Sequence, residues 1–400
     1  MALKNNTWKL NQWYDQSVAG NVSYSGAPGP IWGWGKNENG ELAQNSTAVG
    51  YYSSPIQILT DTTWDFFKPG SGHSAGECLL TKTDGTLWSW GYNYYGNLGM
   101  NDTVKRSSPT QVGSDTNWSA GIAARSISFA VKTNGTLYAM GGYNNGGISG
   151  DSRQVNTKFS SPVQIPGTTW TGDIYNSNTS VIAKKSDGTV WSWGNGSYGE
   201  LAQNSRTDYS SPVQIPGTTW SYFASGDEQW VMATKTDGTL WSWGSAWFGG
   251  LGQNAQGVSY SSPTQIGTET TWDTGEGKIT QGQPGLAAAI KTDGTLWSWG
   301  YNSHGALGHN SRTNCSSPVQ VGSDTNWNTV SANYGRYIMA TKTDGTLWNW
   351  GSDGPWMGGA YYGNADTGPG NIKRSSPVQV PGTWKNVIAT RRNVFAQALL

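Results

Sequence analysis

The chain has 400 residues, 25 basic against 25 acidic side chains, and only 12% charged residues, about half the share usual in a soluble domain. With no surplus of Lys or Arg and no run of like charge, a binder held by nucleic-acid phosphates is excluded. Glycine (56) and tryptophan (24) take the place of charge, which reads as tight turns around aromatic strands with enough apolar surface to fill a large core.

In chain order, residues 1–27 read as a separate N-terminal arm. The start lacks the apolar stretch of a secretion signal, and no run of about 18 apolar residues follows, so no membrane insertion is expected. The segment led by Trp8 matches the one led by Trp64, but its turn reads Ala27-Pro28-Gly29-Pro30. Pro30 has no N–H for a hairpin ladder, so the hairpin is expected to break there. The following strand, Ile31 to Trp34, then needs another partner.

Beyond it the chain repeats. Ser-Ser-Pro-x-Gln recurs at Pro55, Pro109, Pro162, Pro212, Pro263, Pro318 and Pro377, at spacings of 54, 53, 50, 51, 55 and 59 residues, a propeller-like period. In each unit a Trp (Trp64, Trp118, Trp170, Trp220, Trp272, Trp327) precedes a short apolar run. The run leads into Lys-Thr-Asp-Gly-Thr-Leu-Trp-Ser-Trp-Gly or a close variant. The Asp-Gly or Asn-Gly pairs ending at Gly85, Gly135, Gly188, Gly238, Gly294 and Gly345 predict hairpins, with both residues tolerating positive φ. Alternation in Trp-x-Trp puts both indoles on one face of the strand. Helical periodicity is absent, so the fold is expected to be all-β. The last copy, Val394 to Leu400, lacks only a following strand, which Ile31 to Trp34 supplies from the other end of the chain. Residues 28–400 are thus predicted to be one propeller closed by pairing of the terminal strands. In the alternative, the arm pairs normally and the C-terminal segment packs outside.

The unit from Lys82 to Gly99 resembles the repeat of the regulator of chromosome condensation family, and seven registered copies carry the likeness to the end of the chain. The resemblance implies a seven-bladed β-propeller of four-stranded antiparallel blades. The family's best-known member is an exchange factor for a small GTPase bound to chromatin. Its inserted wedge and basic tail have no counterpart here, nor do the Gly-Trp-Arg-His-Thr motifs of the family's plant photoreceptor. Fold alone does not confer function.

Signals for catalysis are sparse. His73, His304 and His309 are too few for most arrangements, and His304, His309 and Cys315 match no standard ligand spacing. Cys78 and Cys315 suggest no disulfide framework. The repeated Asp of the Asp-Gly turns is a turn residue, and no two acids are marked as an acid–base pair. No enzymatic activity, no cofactor and no metal is expected. The candidate ligand-binding residues are the aromatics after each Trp-x-Trp-Gly strand, Tyr94, Tyr95, Tyr143, Tyr198 and Trp247. Trp356, Tyr361 and Tyr362 join them from the long Gly-rich insertion Asp353 to Lys373. Uncharged aromatic loops suit a sugar or protein ligand.

The favoured reading is a non-enzymatic binding protein on a virion or other particle surface, of phage or bacterial type. There the arm, residues 1–27, attaches to a particle or fibre while the loop face meets a glycan or protein. The alternative is a cytoplasmic protein-interaction scaffold or GTPase regulator.

Overall fold

The computed structural model describes residues 28–399 except 49, 60, 62, 65–75, 125–126, 143–149, 151–157, 178, 225–228, 283, 334–336, 353–372 and 390–392. These residues form antiparallel strands and one 3-10 turn at Trp247–Gly249. The predicted arm and the insertion after Asp353 lie outside the described residues.

β1 (Pro28–Lys36) and β2 (Tyr51–Leu59) open the described chain. β3 (Glu77–Thr81), β4 (Leu87–Gly91) and β5 (Arg106–Gln111) form a three-stranded sheet, extended by a bridge from Trp64 to Lys82. Four-stranded sheets follow in sequence order. The first is β6 (Trp118–Ala124), β7 (Ile127–Lys132), β8 (Leu137–Gly141) and β9 (Phe159–Ile165). The second is β10 (Trp170–Ser177), β11 (Ser180–Lys185), β12 (Val190–Gly194) and β13 (Tyr209–Ile215). The third is β14 (Trp220–Ala224), β15 (Trp230–Lys235), β16 (Leu240–Ser245) and β17 (Ser259–Gln265). The fourth is β18 (Ile279–Gly282), β19 (Leu286–Ile290), β20 (Leu296–Gly300) and β21 (Cys315–Gln320). The last strands are β22 (Trp327–Asn333), β23 (Tyr337–Lys342), β24 (Thr346–Ser352), β25 (Lys373–Ala389) and β26 (Asn393–Leu399).

Those last five join β1 and β2 in a sheet ordered β2-β1-β26-β25-β24-β23-β22. β25 serves two units, pairing with β24 from Lys373 to Thr383 and with β26 from Trp384 to Ala389. β1 lies between β26 and β2, with Trp32 opposite Ala396 and Trp34 opposite Val394. The register slips between Pro28 and Ile31, where the prolines cannot donate to the ladder. Both edges of β1 are taken, as expected from its pairing with the C-terminal strand.

The Asp-Gly hairpins form where the sequence predicts them, with one correction to their physics. Only the glycine takes positive φ, 79° at Gly85, 79° at Gly238 and 78° at Gly294. The aspartate works through its side chain, which accepts hydrogen bonds from the backbone N–H and hydroxyl of the Thr two residues on, at 2.9 and 2.6 Å for Asp84 and Thr86. Those bonds, the hydroxyl's first, hold the Asp84, Asp187, Asp237, Asp293 and Asp344 carboxyls below the usual range. The Thr hydroxyl in turn accepts from the next indole, as Trp88 Nε1 does to Thr86 Oγ1 at 2.7 Å.

Each unit packs the predicted Trp pair on one face. Trp64 meets both Trp88 and Trp90, with ring centroids 5.7 and 6.1 Å away. Trp220, Trp272 and Trp327 meet their own pairs in the same way. Between the leading Trp and the first indole of the pair lies the repeat's Lys, with Lys235 Nζ 4.7 Å from the Trp220 ring and 3.9 Å from that of Trp241, a cation–π contact. Lys82, Lys132, Lys291 and Lys342 add an acidic partner, Asp61, Asp115, Glu269 and Asp324. These cations sit at the hairpin end of each unit and are paired there.

Candidate functional site

At the opposite end of each unit, the strand ending Trp-x-Trp-Gly runs into a connection whose shape is pinned from beneath. The side chain of Asn93 accepts from Leu98 N–H at 3.0 Å and donates to the Asp102 and Val104 carbonyls, and Asn302 does likewise for Leu307, Ser311 and Thr313. The Ser between the two indoles donates to the same loop, Ser242 Oγ to Leu251 O and Ser89 Oγ to Leu98 O at 2.7 Å.

The loops are also clasped to the next unit. Gly40, Gly96, Gly199, Gly249 and Gly305 take positive φ and lie against the first Ser of the following Ser-Ser-Pro, namely Ser107, Ser160, Ser261, Ser316 and Ser375. Five residues on, an Asn in the left-handed region donates its N–H to the carbonyl of that Ser, as Asn204 does to Ser261 at 2.8 Å. The second Ser then donates back to the Asn side chain, Ser262 Oγ to Asn204 Oδ1 at 3.2 Å. The second indole of each pair completes the joint by reaching to the previous unit's loop, Trp243 Nε1 to Glu200 O and Trp299 Nε1 to Gly250 O, both at 2.9 Å.

On this rigid base the predicted aromatics divide. Tyr94 is 58% exposed, Tyr198 44% and Trp247 63%, while Tyr95 is half-buried beside Tyr94, their rings edge to face at 5.1 Å. Tyr94 stacks on Tyr92, and Lys158 Nζ lies 4.3 Å from its ring. Tyr143, Trp356, Tyr361 and Tyr362 lie outside the described residues. Two neighbours escaped the sequence reading. Phe248, beside Trp247, is an exposed aromatic held at φ 56°, and its ring meets Tyr301 of the following unit at 4.7 Å. A left-handed bulky residue is uncommon and costs of order 1–3 kcal/mol. Its place just before the clasping Gly249 is the signal that was available. His304, at the same loop position, is instead buried and bonded to Ser303 Oγ.

Beneath the loop tips lie buried carboxyls. Glu41 is held by the N–H and side-chain amide of Asn39, yet burial still raises its pKa. Glu200 accepts from the backbone N–H groups of Tyr198 and of Glu200 itself, yet burial lifts it to about 7. The Asp208 carboxylate adds a smaller upward push on Glu200. Among the described residues no group of three His, Cys, Asp or Glu side chains is placed to hold a metal ion. No helix of these residues is long and apolar enough to cross a membrane.

Comparison with known proteins places this geometry. The family model for the regulator of chromosome condensation (RCC1) repeat matches residues 84–131, 187–232 and 293–340. Over 135 residues, 33% of this chain, the sequence is 31% identical to the zebrafish (Danio rerio) protein RCC2 homolog, of which the match spans only 27%. Prp20p of Saccharomyces cerevisiae superposes with a TM-score of 0.75 over 96% of this chain and 95% of its own, at 19% identity. Human WBSCR16 gives 0.74 over 92% and 98%, at 16% identity. At such identity the likeness establishes the β-propeller fold and nothing beyond it. The three matched stretches are RCC1 repeats, and the fold they belong to is that of the RCC1-type β-propellers.

Proposed function

We propose that this chain is a non-enzymatic protein-interaction propeller whose connection-loop end docks a partner protein, acting as a scaffold or as a regulator of a small GTPase. The observation that carries this reading is the exposed pair Trp247 and Phe248 on a loop pinned at both ends. Aromatic anchors on a rigid frame lose little conformational entropy on binding and are typical centres of protein interfaces. The fold relative Prp20p binds Gsp1p and histones, which supports a protein ligand. In the same reading the sheets form seven blades, and β26 closes the ring by pairing with β1. The particle-surface and glycan readings rest on composition alone.

The test is crosslinking with mass spectrometry of the intact chain, of Trp247→Ala with Tyr94→Ala, and of the hairpin-end control Lys235→Ala. The expected result is one protein partner, retained by the control and lost by the loop variant. If that partner is a small GTPase, the chain should change its rate of nucleotide release. A glycan ligand with no protein partner, or capture indifferent to the loop variant, rejects the reading.

A further inference from the structure

The repeat departs from its own pattern twice in one unit, and the two departures meet. Before Ser-Ser-Pro the chain places Tyr52, Arg106, Phe159, Tyr209, Tyr260 and Arg374, but Cys315 in the remaining unit. Two residues after the loop's Leu it places Gln44, Met100, Gln203 and Gln253, but His309 in that same unit.

The glutamines show what the position does. Gln203 Nε2 reaches Gln214 O at 3.1 Å and Ser192 Oγ at 3.4 Å. Gln253 Nε2 reaches Thr264 O at 3.2 Å and Ser242 Oγ at 3.3 Å. His309 Nε2 takes over both contacts, to Val319 O at 3.1 Å and Ser298 Oγ at 2.9 Å. A carbonyl only accepts, and Ser298 already donates its hydrogen to Leu307 O at 2.6 Å. Both partners therefore require Nε2 to carry the proton. Burial pushes the His309 pKa below its ordinary value, which favours the neutral ring. Nδ1 is then a bare lone pair, and 4.0 Å from it lies Cys315 Sγ.

A thiol facing a neutral imidazole nitrogen is a soft donor pair. Zinc bonds of about 2.3 Å to sulfur and about 2.0 Å to nitrogen imply that two donors on one ion stand roughly 3.5–4.3 Å apart, depending on the bond angle. The separation of 4.0 Å falls inside that span. Zinc itself asks for four ligands, and the described residues offer no group of three. Monovalent copper is soft, favours thiolate and imidazole, and is satisfied by two or three donors.

We propose that Cys315 Sγ and His309 Nδ1 form a binding site for one monovalent copper ion. The thiol releases its proton to solvent as the copper–sulfur bond forms, the imidazole donates its lone pair, and no electron is transferred. The half-buried Cys315 side chain leaves the ion a path from solvent.

The experiment is anaerobic titration of the reduced full chain with Cu(I) in competition with a chromophoric chelator. One ion should bind per chain. The Cys78→Ser control should bind equally well, because Cys78 is buried and its thiol is pushed up by that burial. Cys315→Ser and His309→Gln should each weaken binding about tenfold or more. His309→Gln restores the residue used by sister units, so the bond to Val319 O and the fold survive. Wild-type affinity no greater than that of Cys315→Ser overturns the proposal. So does His309→Gln binding as wild type, since a lone thiol then accounts for the copper.

Discussion

Glu200 is a buried carboxyl whose burial is only partly compensated. Its Oε1 has no hydrogen-bond partner among the described residues, and burial lifts its pKa to about 7 from an ordinary 4.5. A pKa raised on folding means that the folded state favours the protonated form. Its contribution is then fully present below the unfolded value and lost as pH climbs through about 7. At 1.36 kcal/mol per unit, the loss approaches about 3 kcal/mol. Glu200→Gln keeps the shape without the charge. Denaturant midpoints should therefore match wild type near pH 4 and exceed it near pH 8 by an amount equivalent to about 2–3 kcal/mol. A difference independent of pH refutes this account. Exposure of single side chains was the least legible property of the sequence. Trp230 and Trp247 both stand outside the repeated Trp positions, yet Trp230 is buried and Trp247 is 63% exposed. Trp230 begins a strand and faces the packed layer between units, whereas Trp247 sits on a loop tip, and only three-dimensional neighbours separate the two.

The clasp between units depends on backbone that a side chain cannot share. A Cβ on Gly199 would stand 2.6 Å from Ser261 Cα at φ +86°, whereas one on Gly257, at φ +68°, meets nothing within 4 Å. Gly257→Ala should cost only the left-handed strain, about 1 kcal/mol. Gly199→Ala adds a backbone collision, so it should cost clearly more, about 3 kcal/mol. Thermal melting of the two variants checks the order, and equal shifts would show that the loop yields without disturbing its neighbour. The hairpins and the Trp pairs were legible because their causes are local. Asp84, Gly85, Thr86 and Trp88 sit within five positions and set one another's geometry. The Ser-Ser-Pro motif was legible as a marker of period but not in its role, because Ser261 binds a residue 57 positions earlier. His309 and Cys315 are only six positions apart, but no standard ligand spacing marked them; their contact forms because the β20–β21 ladder brings the loop's end back to its root.

At the scale of the whole molecule the decisive joint is β26, which lies between β25 and β1 and buries Val394 and Ala396 completely. Its partners come from opposite ends of the chain. Pairing them costs little loop-closure entropy once the intervening units have folded, and it joins β25 and β26 to β1 and β2. Phe395 and Ile31 both enter the cluster that holds Trp64 and Trp90, so the strand's other face supports the next unit as well. A chain ending before Asn393 should thus lose protection from hydrogen exchange in β1 and β2, and then in β3. The strands β10–β17, remote from the joint, should keep theirs, because their inter-unit clasps remain. Loss of protection throughout would mean that the propeller folds as one unit whose stability resides in closure. Full protection of β1 after truncation would show instead that β2 alone holds it, and the terminal pairing would then be incidental to the fold.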